Sequence, residues 1–144
     1  MKIRSVVAVV VGGLVWAAVS ALLLFLEAQV WPAMAEGARL YAETGSYAGF
    51  DTPMLVSFQV MWLITNAFAG LMAGLIANRR TEVSVLAILL VAYFAYNHLW
   101  ALWDDFPVWY NVLVVLVVVP AVLFGGVLAG RLRDRRAANA ATVG

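Results

Sequence analysis

The sequence has no cysteine and a single histidine, His98, and only 12% of its 144 residues are charged. Without cysteine there is no disulfide framework, no thiolate metal site, no iron–sulfur cluster and no thiol nucleophile. One histidine cannot build a histidine-rich metal site within one copy. A formal net charge of +1 provides no electrostatic footprint for nucleic acid. What the chain has in excess is apolar: 65% of residues are hydrophobic and the mean hydropathy is +0.95. A soluble domain carries about 45–50% apolar and about 25% charged residues, so this composition belongs in a bilayer.

The scarce charges leave four uninterrupted runs, Ser5–Leu26, Thr52–Asn78, Val83–Trp103 and Phe106–Gly130. Each exceeds the roughly 18–20 residues a helix needs to cross about 30 Å of hydrocarbon. Four spans cannot close a β-barrel, so the expected fold is all-α, a four-transmembrane-helix bundle. The expected spans are about 5–27, 53–77, 83–103 and 107–130, in a single domain ending in a basic tail, 131–144. Eight of the nine basic residues flank the same side: Lys2, Arg4, Arg79, Arg80, Arg131, Arg133, Arg135 and Arg136. Glu27, Glu36, Glu43, Asp51, Asp104 and Asp105 lie on the other. The positive-inside rule then puts both termini in the cytoplasm of a bacterial inner membrane. Span one is too long for the apolar core of a cleaved signal peptide and is read as an anchor.

The one long connection, Glu27–Asp51, contains Pro32 to open a helix, Gly45 to close it, and Glu36, Arg39 and Glu43 on one face. It is expected to carry a short amphipathic periplasmic helix over Ala33–Thr44. Trp31, Trp100, Trp103, Trp109 and Tyr110 fall at the outer ends of spans and read as an interfacial aromatic belt. Phe68–Arg80 and Phe124–Arg136 match at six of thirteen positions. This is either a parallel duplication or two packed helix ends converging on small residues followed by arginines. Gly70-xxx-Gly74 and Gly126-xxx-Gly130 are small-residue packing motifs. Pro120, mid-span, should kink the fourth helix.

Polar residues inside the spans are the candidate site: Glu27, Gln59, Asn66, Asn97 and His98. Gln59, Trp62, Asn66, Gly70 and Gly74 share a helical face that turns towards protein. Glu27, Gln59, Asn97 and His98 lie at a similar outer depth. They either converge, with Glu27 and His98 forming a protonatable pocket, or Glu27 reaches the headgroup layer while Asn97 and His98 bond between helices. Asp104-Asp105 is read as solvated rather than catalytic.

The stretch Trp62–Ala77, with its glycine-rich end, resembles the second helix of a loose group of small, uncharacterised bacterial four-helix membrane proteins. Pro107-Val-Trp109, Pro120 and Gly125-Gly126 resemble the last hairpin of that group. The resemblance implies a fold and a membrane location. Where that group often places histidine before Pro-x-Trp, this chain has Phe106. The functional expectation is a non-enzymatic accessory or scaffolding subunit, in a homo-oligomer or larger membrane complex, with no cofactor and no metal. The alternative is a small oligomeric transporter or channel using the intramembrane polar stripe.

Overall fold

The structure, a computed structural model, describes residues 3–77 and 80–143. Lys2 and Arg79, used in the charge argument, and Asn78, which ends the second run, lie outside the described residues. Helix α1 spans Ile3–Val30, α2 Pro32–Thr44, α3 Thr52–Ala77, α4 Arg80–Tyr96 and α5 Val108–Val143. No strand occurs among the described residues. Among the described residues four helices are long and apolar enough to cross a membrane: α1, α3, α5 and α4 with its extension to Ala101. The chain is an all-α, multi-pass membrane protein.

Helix α3 is the axis of the bundle. It packs most extensively against α5 and α1, and α4 lies against α5 and α3. In its most apolar window 44% of α3 is buried, against 11% of α1, which turns most of its surface outward. Lipid offers no hydrophobic drive for helices to meet, so close backbone approach and dispersion hold the bundle. At Gly70 an added Cβ would overlap the Val122 carbonyl of α5, and at Gly125 it would overlap the Ala67 carbonyl of α3. Gly74 and Gly126 sit in the same seam, where added carbons would come within 2.8 Å of Ala129 and 2.7 Å of Val83. Gly130 is a correction to the packing set. Among the described residues nothing lies within 4 Å of where its side chain would be, and it borders the basic-end cavity between α3, α4 and α5 instead.

The arginines at this end, the basic end, also finish α3. A helix leaves its last carbonyls unpaired. Arg4 of α1 donates to the Ile76 carbonyl at 2.6 Å, and Arg133 of α5 donates to the Gly74 carbonyl. Ser5 donates to the Glu82 carboxylate at 2.6 Å, joining α1 to the first turn of α4. There an acidic group meets the positive end of the helix dipole. The basic tail does not leave the helix. Helix α5 continues through Pro120 and the arginines to Val143.

At the opposite, loop end, Trp31 leaves helical geometry and Pro32 opens α2. Gly45, at φ 70°, closes it in the left-handed conformation that only glycine adopts without cost, its N–H reaching the Tyr41 carbonyl at 2.8 Å. Arg39 bridges Glu36 and Glu43 on the outer face of α2. The Arg39 guanidinium holds the Glu36 carboxyl below the usual carboxylate range. Met34 and Gly37 face inward, and a single 3-10 turn, Tyr47–Gly49, leads to Phe50. Asp51 caps α3 by accepting from the Met54 N–H at 3.0 Å.

Candidate functional site

The site is built where α4 ends. After Tyr96 the helix widens for one turn, Asn97–Ala101, and the Leu102 N–H reaches back five residues to the Asn97 carbonyl at 2.7 Å. Such π turns recur at functional sites because they re-aim side chains that a regular helix would stagger. Here the turn carries His98 into the bundle, where 7% of its surface remains exposed.

Asn111 fixes the imidazole. Its side-chain N–H groups donate to the carbonyls of Trp103 at 3.0 Å and Phe106 at 3.2 Å, which identifies the amide nitrogen. Its Oδ1 is therefore the atom facing His98 Nδ1 at 3.1 Å, and Nδ1 must be the donor. In the neutral ring this leaves Nε2 as an acceptor. It has no hydrogen-bond partner among the described residues.

Around the imidazole stand Phe94, Phe106 and Tyr110, with ring centroids 6.1, 5.8 and 5.6 Å away. The ring contacts continue inward through Trp62 to Trp16, and outward through Tyr47 to Tyr41 of α2. Burial raises the Tyr47 hydroxyl above the ordinary tyrosine pKa, aided by its bond with Tyr41. The rings enclose a cleft of about 480 Å³ roofed by α2. Leu24 of α1 and Tyr93 of α4 belong to its wall and are 40% and 51% exposed. Both side chains thus face the cleft and the outer surface of the bundle. Tyr110 accepts a bond from Trp62 Nε1 at 3.4 Å, while its own hydroxyl proton has no acceptor among the described residues.

The five candidate polar residues are not brought to one place. Asn97 and His98 line the cleft. The Asn97 side chain donates to the Tyr93 carbonyl of its own helix at 2.8 Å. Glu27 does not pair with His98. It takes a hydrogen bond from the Ser57 hydroxyl, tying α1 to α3, and its Oε2 is buried without a hydrogen-bond partner among the described residues. Gln59 donates to the Tyr110 carbonyl at 3.2 Å. Asn66 lies deeper and fully buried, with neither side-chain polar atom paired among the described residues. The protonatable Glu27–His98 pocket is thereby corrected, because each group bonds to a different helix.

Two residues of the site escape a reading by position. Tyr110 belongs by sequence to the interfacial belt, yet it is 2% exposed and forms a wall of the cleft. Asn111 is fully buried and sets the histidine, and its only sequence signal is being the one polar side chain early in an aliphatic span. Asp104 and Asp105 are exposed, as their loop position implies. No group of three or more potential metal ligands occurs among the described residues. A second cavity, about 690 Å³, lies at the basic end between α3, α4 and α5. Its arginines are either exposed (Arg80, Arg131) or, like Arg133, bonded to a helix carbonyl. The chain matches no family model, no curated protein and no solved structure, so the chemistry of the site is read from its own geometry.

Proposed function

We propose that this chain is a non-enzymatic accessory protein of the bacterial inner membrane whose work is to hold a lipid-soluble molecule in the loop-end cleft. The observation that carries the reading is the cleft itself, an aromatic chamber of about 480 Å³ with one oriented histidine and a lipid-facing side. Ligand sites are concave, mostly apolar, and furnished with a few placed polar groups. A molecule entering between Leu24 and Tyr93 would leave the bilayer without crossing water. Purification in mild detergent followed by mass spectrometry of the extracted small molecules tests this. A stoichiometric apolar compound is expected, with less of it retained in Ala28→Leu, which narrows the chamber. Recovery of bulk phospholipid alone would contradict the reading.

The accessory part rests on the outward face of α1. Gly13 meets nothing within 4 Å, and Ala17 and Ala21, one and two turns on, are exposed. Small residues at this spacing let another helix approach closely. Native mass spectrometry should find the chain with a second copy or a larger subunit, and Gly13→Leu should release it. A lone monomer would refute the accessory role. A transporter reading would need the Gln59–Asn66 stripe to face a lumen, whereas both residues are buried within one copy.

The charge pattern supports cytoplasmic termini: Arg4, Arg80 and the arginines of α5 lie at one end, and Asp51, Asp104 and Asp105 at the other. A cysteine at Ala48 should react with an impermeant reagent in intact cells and one at Asn139 should not. The reverse would overturn the orientation.

A further inference from the structure

We propose that the cleft selects a flat ring bearing a hydroxyl, a lipid-soluble phenol or hydroquinone, which donates to His98 Nε2. The inference rests on the reading of the cleft as a binding site and adds the chemical class of its occupant. Three observations define that class. The walls are mostly rings, among them Phe58, Trp62, Phe94 and Phe106, and favour a flat conjugated body that can stack or meet them edge-on. The Nδ1 proton of His98 is committed to Asn111, so the nitrogen left over accepts a proton donor and repels a bare carbonyl oxygen. The hydroxyl of Tyr110, in the same wall, accepts from Trp62 and has its own proton to give to an oxygen of the same head. His98 Nε2 and the Tyr110 hydroxyl proton thus offer one acceptor and one donor, the complement of a ring hydroxyl, which is both. Leu24 and Tyr93, which line the cleft and are also exposed on the outer face of the bundle, are where an apolar tail would pass into the bilayer.

The test uses the full chain in phosphatidylcholine nanodiscs, with equilibrium partition of probes measured against empty discs. The probes are 2-naphthol, its methyl ether, which keeps the oxygen but loses the proton, and naphthalene. Saturable binding of 2-naphthol is expected, about five- to tenfold tighter than that of the ether, the factor one hydrogen bond supplies. Tyr110→Phe should weaken naphthol about fivefold and leave naphthalene unchanged. Ala28→Leu, which narrows the chamber, should weaken binding of all three probes alike. Equal affinity for naphthol and its ether would overturn the hydroxyl assignment while leaving the cleft a binding site. Saturable binding of none of them would overturn both.

Discussion

The two ends of this bundle are held by opposite means. Towards the basic end, helices meet through what is missing: Gly70 lies on the Val122 carbonyl and Gly125 on the Ala67 carbonyl, so backbone touches backbone. Towards the loop end they meet through the largest side chains available, from Trp16 and Trp62 to Tyr47 and Tyr41. Glycine contacts give close, rigid packing, and each tolerates almost no change. Large rings packed at angles leave a chamber of about 480 Å³ beside one buried imidazole. The rigid half serves as the frame and the ring-lined half as the site.

The largest effect that would break this contrast is expected in the glycine half. Gly70→Leu or Gly125→Leu must push α3 and α5 apart and should cost about 3 kcal/mol or more, read as a lowered melting temperature in detergent. Unchanged melting in both would remove the frame. Next comes Asn111→Leu, which leaves His98 Nδ1 and the Trp103 and Phe106 carbonyls unpaired. A loss of about 2–3 kcal/mol is expected, together with loss of naphthol binding. Gly130→Ala sharpens the comparison from the other side. Among the described residues an added Cβ here meets nothing within 4 Å, so the change should be neutral or stabilising by up to about 1 kcal/mol through helix propensity. A large loss there would mean that the glycine motif, rather than its contacts, matters.

The smallest effect concerns pH. The folded-state pKa of Glu36 is depressed by Arg39, so the support it lends α2 is present above the usual carboxylate range and is lost as pH falls through the folded value. Both partners are more than half exposed, so only a slight loosening of α2 is expected, measured by amide hydrogen exchange at acid pH and removed by salt. Exchange that is unchanged on acidification would make the Arg39 bridge irrelevant to α2.

Much of the fold was legible because membrane helices advertise themselves by length and apolarity, and because Pro32 and Gly45 have local geometric consequences. The extent of α2 follows from those two residues almost alone. The site was legible only in part. His98 and Asn97 stand out as polar residues in a span, but which groups they meet depends on helix rotation and on the π turn, neither of which spacing reveals. Tyr110 sits at belt level by position and inside the bundle by orientation, one helical step deciding between them. Gly130 shows the same limit in reverse, since its motif is intact but it borders a cavity rather than a packed helix face.

The central claim is that Asn111 holds His98 with Nδ1 protonated and Nε2 free to accept. His98 is the sole histidine, so selective ¹⁵N labelling gives one imidazole and an unambiguous spectrum. In nanodiscs near neutral pH, the Nδ1–H tautomer is expected, with the Nε2 resonance moving on addition of 2-naphthol and not of its methyl ether. An Nε2–H tautomer, or an Nε2 resonance indifferent to naphthol, would contradict it.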